Sequence, residues 1–260
     1  MEYETIDYKV DDRGVAYVTF NRPEVHNAMS AEFIQELQHI CATIEASNTI
    51  RVAVVSGAGE SFCAGGDLKW MESNLTKSRA KRIEETGELA AMLAALNGLS
   101  KPLIGRIQGP AYGGGVGMIS VCDITIGVST AKFGLTEVKL GLTPATISPY
   151  VVKRIGAGNA RRNFFNSRIF GAAEAKTIGL LTEVVEADEL DAAIEKELKM
   201  ILKCAPVAIA STKKLIDYVD SHGMQDNRIY TAANLADAWE TDEGKEGIDA
   251  FLNKRKASWH

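Results

Sequence analysis

The chain lacks a surplus of positive charge, holding 29 Lys and Arg against 34 Asp and Glu for a formal net charge of −5. No global basic field exists to attract nucleic acid or anionic lipid, so neither is an expected partner. Cysteine is scarce: Cys41, Cys63, Cys122 and Cys204 are scattered in apolar surroundings without metal-ligand spacing, and they read as reduced thiols. No apolar run reaches the roughly 18 residues of a membrane span. The acidic start, Met1-Glu2-Tyr3-Glu4, runs directly into a strand-like pattern, and the expectation is a cytoplasmic protein. Walker, HExxH and GxSxG motifs are missing, and Gly57-Ala58-Gly59-Glu60-Ser61-Phe62 has Phe62 where a dinucleotide fingerprint needs its third glycine. NAD binding is rejected on that ground. His26, His39, His222 and His260 show no paired nucleophile or ligand spacing, and no metal site is expected.

What is present is ordinary for a globular chain: 46% apolar and 24% charged residues over 260 positions. That length allows one large domain with a smaller appendage. Tyr3–Val10 and Val15–Phe20 are β-rich runs around the polar turn Asp11–Gly14, which predicts a hairpin. Ser30 is placed to cap a helix whose apolar positions Phe33, Leu37, Ile40, Cys41 and Ile44 share one face. Val52–Val55, Leu103–Ile107 and Ile124–Val128 read as short buried strands, with helices at Ile83–Leu99 and Val116–Val121. From about Leu190 the strands end, and Asp191–Leu202, Ala205–Tyr218 and Arg228–Glu240 read as successive helices broken at Gly223 and Gly244. Alternating strands and helices give an α/β fold.

Two glycine-rich stretches, Phe62-Cys63-Ala64-Gly65-Gly66-Asp67 and Gly109-Pro110-Ala111-Tyr112-Gly113-Gly114-Gly115, each follow a β-like run and open a helix-like one. Glycine lets bare backbone N–H groups point outward, and the first turn of a helix has donors without intrahelical partners. Two converging donors make an oxyanion hole, where one donor is worth about 3 kcal/mol when charge develops on a carbonyl oxygen. Enolate chemistry is the expectation.

These stretches, with Asn21-Arg22-Pro23, Asn27-Ala28-Met29, Cys122-Asp123 and Phe133-Gly134 leading to Glu137 and Gly141, resemble the crotonase (enoyl-CoA hydratase/isomerase) superfamily from end to end. The resemblance implies a ββα spiral core over residues 1–195 and a C-terminal helical subdomain over 196–260 that builds a homotrimer or a dimer of trimers. Gly66 and Gly114 match the backbone donors that hold the thioester oxygen, and Glu137 matches the glutamate that moves the α-proton. Val25, Ala64, Gly66, Asp67, Leu68, Lys69 and Gly114 fall where the family grips coenzyme A, while Phe251 and Lys254 match a last helix that covers the CoA of a neighbouring site. Asp67 reads equally as an N-cap. The implied partner is an acyl-CoA thioester, with CoA entering as part of the substrate and no further cofactor.

Two departures stand out. Gly117 occupies the place where two-glutamate hydratases carry their other carboxylate, and Pro144–Tyr150 replaces a glycine-rich stretch against the acyl group. Together with Gly113–Gly117 and Glu137–Leu142, this pattern resembles bacterial methylglutaconyl-CoA and isohexenylglutaconyl-CoA hydratases of leucine and acyclic-terpene breakdown. A distal substrate carboxylate would then meet a cation such as Lys69 or Arg154. Three functions stay open at this point: an enoyl-CoA hydratase, an isomerase using the single glutamate Glu137, or an inactive acyl-CoA-binding homologue.

Overall fold

Polar Asp11–Gly14 turns the chain as its composition predicts: the Asp11 carboxylate accepts the N–H groups of Arg13 and Val15 at 2.9 and 3.0 Å. The flanking strands β1 (Ile6–Val10) and β2 (Val15–Phe20) pair antiparallel, from Ile6 opposite Phe20 to Val10 opposite Ala16. The structure is a computed structural model describing residues 3–259, so Met1, Glu2 and His260 lie outside the described residues. After the hairpin come α1 (Ala31–Ala46), β3 (Val52–Gly57), α2 (Leu68–Thr76), α3 (Arg79–Asn97), β4 (Leu103–Ile107), β5 (Ala111–Tyr112) and α4 (Gly114–Ser120). They are followed by β6 (Ile124–Val128), β7 (Lys132–Gly134), α5 (Ser148–Asn166), β8 (Ile169–Gly171), α6 (Ala172–Thr177) and β9 (Glu183–Val185). Four helices close the chain: α7 (Leu190–Ile201), α8 (Pro206–Ser221), α9 (Met224–Glu240) and α10 (Asp242–Leu252).

One sheet runs β1-β2-β3-β4-β6-β9, parallel throughout after the first pair, and a smaller sheet runs β5-β7-β8. Parallel neighbours need crossovers, supplied by α1 between β2 and β3 and by α2 with α3 between β3 and β4. This is the expected α/β architecture, with helices gathered at the C-terminus. Such strands are covered on both faces, which is why Val52–Val55 is buried at every position. Ser30 caps α1 by accepting the Phe33 N–H at 3.3 Å, and Phe33, Leu37, Ile40, Cys41 and Ile44 are all buried. The Phe33 ring meets Phe20 edge-on at 5.0 Å, and Phe20 in turn lies 5.3 Å from Phe62, so α1 is keyed to the strand and loop leading to the glycines.

Several boundaries differ from the sequence reading. The α3 helix starts at Arg79 rather than Ile83, because Ser78 caps a polar, exposed first turn that carries no apolar signal. Gly244 is not a break: it lies in the first turn of α10, its N–H bonded to Thr241 Oγ1 at 2.9 Å, and the chain turns at Thr241 instead. The α7 helix packs on β4 and β6, whereas α8, α9 and α10 pack on one another and bury only Asn227 and Ala250 fully. Among the described residues no helix is long and apolar enough to cross a membrane.

Phe33→Ala empties the junction between α1 and β2. It is expected to cost about 3–5 kcal/mol of stability, read as a lowered urea midpoint at fixed protein concentration. A loss below about 1 kcal/mol would contradict the close packing of these rings.

Candidate active site

Met29 is the rung on which the first glycine stretch hangs. Its N–H donates to Gly65 O at 2.8 Å and its carbonyl accepts the Asp67 N–H at 3.0 Å, a parallel bridge that leaves the intervening Gly66 N–H turned away. On the other side, Cys63 bridges Ala111, and Tyr112 N–H donates to Cys63 O at 3.0 Å. Gly65, at φ +99°, makes this approach possible: a Cβ there would stand 3.0 Å from Tyr112 O and 3.4 Å from Gly114 N. Gly114 opens α4, and a Cβ on it would overlap the Met29 Cε and lie 3.6 Å from Gly65 Cα. Among the described residues neither the Gly66 nor the Gly114 N–H donates to another group of the protein. Two free donors therefore stand on abutting segments, the arrangement that stabilises a carbonyl oxygen as it gains charge.

Glu137 begins a short 3₁₀ turn, Glu137–Leu140, ended by Gly141 in the left-handed region. The Gly113 N–H bonds Gly134 O at 2.8 Å, which ties the start of α4 to the strand leading into this turn. A Cβ at Gly113 would lie 3.1 Å from Glu137 Oε1, so the carboxylate flanks the second glycine stretch. Its Oε2 is shut off from solvent and has no hydrogen-bond partner. Burial raises the Glu137 pKa above the ordinary glutamate value, opposed by its own backbone N–H. Asp67 is the opposite case. Desolvation pushes it up, but the Arg22 guanidinium and the N–H groups of Trp70 and Lys69 outweigh that and hold it below the usual range.

The space beside Gly117 is filled. A side chain on Gly117 would overlap Ile147 Cγ2 and stand 2.8 Å from Ile147 Cβ, and Ile147 is itself buried. The hydroxyl of Ser148 turns back to Ala145 O at 2.8 Å, so one of the polar groups in Pro144–Tyr150 is spent locally.

Gly66 and Asp67 lie at the Met29 rung, Ala64 N–H bonds His26 O at 2.9 Å, Val25 O accepts the Ala28 N–H at 3.1 Å, and Leu68 and Lys69 follow in the first turn of α2. Asp67 is buried and caps α2, while Leu68 and Lys69 are exposed. Phe251 and Lys254 sit apart, exposed at the end of α10. A cleft of about 450 Å³ opens beside Ala64 and Tyr112, lined also by His26, Glu60, Ser61 and Pro110. There His26 Nδ1 lies 3.0 Å from Ser61 Oγ, a pairing across 35 residues that spacing does not reveal. Arg154 is no free cation, because its guanidinium donates to Cys122 O at 2.6 Å, Thr125 Oγ1 at 2.8 Å and Gly179 O at 2.9 Å. Its role is to hold α5 to the sheet, and the expectation that it could meet a substrate carboxylate is corrected. Burial pushes the thiols of Cys41, Cys63 and Cys122 up to about 12, so they stay protonated. Among the described residues no group of three or more His, Cys, Asp or Glu could hold a metal ion.

A raised carboxyl pKa carries a stability signature. Above its folded pKa the half-buried Glu137 charge weakens folding, and below its unfolded pKa the group is neutral in both states, so the cost vanishes. Glu137→Gln is therefore expected to melt higher than wild type at neutral pH. The gain should shrink to nothing as pH falls through the window between the unfolded and folded pKa values. A pH-independent difference in Tm, or one of opposite sign, would contradict the burial of this carboxylate.

Known proteins share both the sequence and the shape. The family model described as Enoyl-CoA hydratase/isomerase matches residues 11–260. The crotonyl-CoA hydratase of Syntrophomonas wolfei subsp. wolfei is 31% identical over 265 residues, covering 100% of this chain and 99% of its own length. The short-chain-enoyl-CoA hydratase of Clostridium acetobutylicum is 33% identical over 245 residues, covering 93% and 92%. Among solved structures, an enoyl-CoA hydratase from Shewanella pealeana superposes with a TM-score of 0.96 at 30% identity, covering 99% of this chain and 97% of that one. With near-complete coverage in both directions, the chain belongs to the enoyl-CoA hydratase/isomerase (crotonase) family.

Proposed function

We propose that this protein is an enoyl-CoA hydratase, a hydro-lyase that adds water across the α,β double bond of an acyl-CoA thioester. The observation that carries the reading is the half-buried Glu137 carboxylate, its Oε2 shut off from solvent and unpartnered, beside a pair of unpartnered backbone donors. The thioester oxygen rests on the Gly66 and Gly114 N–H groups, which are neutral donors aimed at a charge that exists only as the reaction proceeds. Water oxygen bonds to the β-carbon while its proton passes to Glu137, and the π electrons shift onto the thioester as an enolate. Glu137 then returns a proton to the α-carbon. Burial raises its pKa from the ordinary glutamate value, the direction that makes a carboxylate a better proton acceptor. The addition is redox-neutral, and CoA enters only as part of the substrate.

For the acyl chain the proposal is a branched glutaconyl-type thioester of leucine or acyclic-terpene breakdown. Support comes from Gly113–Gly117, Glu137–Leu142 and Pro144–Pro149, and from exposed Lys69 as the cation left to meet a distal carboxylate. CoA would lie along Val25 and Ala64–Lys69. The proposed domains are a catalytic core over residues 1–195 and a trimerisation subdomain over 196–260 of a cytoplasmic homotrimer or dimer of trimers. Val207, Ile216, Ile229, Leu235 and Trp239 are exposed on α8 and α9, more apolar surface than a lone helical layer usually leaves to water. In that assembly Phe251 and Lys254 would cover the CoA of a neighbouring copy.

A second reading is an isomerase that carries one proton between two carbons. Ile147 favours it, because it closes the ground beside Gly117 and leaves Glu137 as the carboxylate at hand. Turnover of 3-methylglutaconyl-CoA, isohexenylglutaconyl-CoA and crotonyl-CoA, with product masses read directly, separates the two. The expected result is a gain of one water that falls by roughly 10²–10⁴-fold in Glu137→Gln. A moved double bond at constant mass would make the protein an isomerase, and binding without turnover would make it an inactive homologue. Equal efficiency on the 3-methylglutaconyl and crotonyl thioesters would refute carboxylate recognition.

A further inference from the structure

Both halves of the donor pair lean on Met29: its backbone holds Gly65 and Asp67, and its Cε abuts Gly114. Something must hold Met29 itself. Arg22 reaches in from the turn before α1, where Nη1 donates to Ala28 O at 2.5 Å and Nη2 to Asp67 Oδ2 at 2.8 Å. One guanidinium thus grips both strands of the Met29–Gly66 bridge, one residue before Met29 on the first and one residue after Gly66 on the second. The pair is largely withdrawn from solvent, with side-chain exposures of 19% for Arg22 and 8% for Asp67. Asp67 Oδ1 is engaged separately, by the Lys69 and Trp70 N–H groups of α2, so its two oxygens tie the start of that helix to Arg22.

The backbone of Arg22 is pinned as well. Its N–H donates to Asn27 Oδ1 at 2.9 Å, and its carbonyl accepts the Asn27 N–H at 2.9 Å. Asn27 is fully buried and donates in turn to Ala58 O and Ser61 O, at 2.9 and 2.8 Å. The loop after β3 and the loop after β2 are therefore locked together on both sides of the guanidinium. Ordinary helix capping needs none of this, since Asp67 already caps α2 with the other oxygen.

We propose that Arg22 is a positioning residue of the oxyanion hole: by holding Ala28 O and Asp67 Oδ2 at once, it sets the direction of the Gly66 N–H relative to that of Gly114. The inference rests on the reading of Gly66 and Gly114 as the thioester donors. Arginine is suited because its planar fork spans two acceptors, whereas a lysine ammonium presents a single compact head. Its influence falls on kcat, since the donor's aim matters most when the oxygen carries its full charge.

The test compares wild type with Arg22→Met, Arg22→Lys and the double variant Arg22→Met/Asp67→Asn, which removes the stranded carboxylate. The C=O stretch of bound butanoyl-CoA, ¹³C-labelled at the carbonyl, reports polarisation directly, and the saturated chain cannot be hydrated. Wild type is expected to lower that stretch relative to free thioester, and all three variants to move it back toward the free value, Arg22→Lys least. In parallel, kcat on the best enoyl-CoA substrate should fall by roughly 10–100-fold with KM changed by less than about threefold. Folded variants with the wild-type stretch and kcat but a lower Tm would overturn the proposal and leave Arg22 a stabilising residue only. If Arg22→Met fails to fold, Arg22→Lys and the double variant decide by the same criteria. Should wild type itself fail to shift the stretch, the reading of Gly66 and Gly114 falls instead, an outcome distinct from a failure confined to the variants.

Discussion

Backbone meeting backbone without a side chain between is the constraint on which the molecule turns. Gly65 lies against Tyr112 O and Gly114, and Gly115 is so close to Cys63 O that any Cβ there would collide with it. Close approach of this kind is available only to glycine. It brings the first turn of α4, whose N–H groups have no intrahelical partners, within reach of the Met29–Gly66 bridge. The rest of the fold serves to hold these segments at that distance. The rings of Phe20, Phe33 and Phe62 seat α1 and the loop after β3 on a common core, and the Gly113 N–H fastens α4 to the second sheet.

Two carboxylates close to this junction are kept in contrasting states by their surroundings. Asp67 is paired with Arg22 and two backbone N–H groups, which stabilise its charge and commit it to structure. Glu137 is half-buried with an oxygen unpartnered, so its charge is disfavoured and its pKa lies above the ordinary glutamate value. The two environments push the two carboxyl pKa values in opposite directions within one small region. Ile147 sharpens the contrast, because an apolar side chain fills the ground that a side chain at position 117 would need.

Elements with one strong apolar period were legible. The hairpin, α1 and the three short strands Val52–Val55, Leu103–Ile107 and Ile124–Val128 came from alternation, helical spacing and burial alone, and the glycine-rich junctions pointed to donor geometry before any family likeness. The segments that escaped did so for physical reasons. The α2 helix buries none of its residues fully, and α5 is interrupted at Gly156, where the backbone leaves the helical region, so neither shows a continuous apolar face. Gly244 looked like a break because glycine punctuates chains, yet a Thr241 cap overrides that preference. Pairings across long separations, Arg22 with Asp67 or Arg154 with Gly179, have no local signature. Arg154 showed the hazard plainly, since a lone cation in the sequence proved to be a brace between helix and sheet.

Parallel pairing explains why such distant residues meet at all. Strands β2, β3 and β4 are neighbours running the same way, with Phe20 opposite Gly57 and Val55 opposite Gly105, so their carboxyl ends share one edge. The loop leaving β2 carries Arg22 and Met29, the loop leaving β3 carries Gly66 and Asp67, and the segment leaving β4 carries Gly113 and Gly114. Open parallel sheets place ligands beyond the carboxyl ends of their strands because only there do successive loops converge. A slip of one residue between β2 and β3 would turn every side chain of a strand to the opposite face, and β2, with half-buried Tyr17 and Thr19 between buried Val18 and Phe20, opposes that slip. Register in the core is thus what sets the spacing of two N–H groups at its edge, and Arg22 is the last adjustment of that spacing.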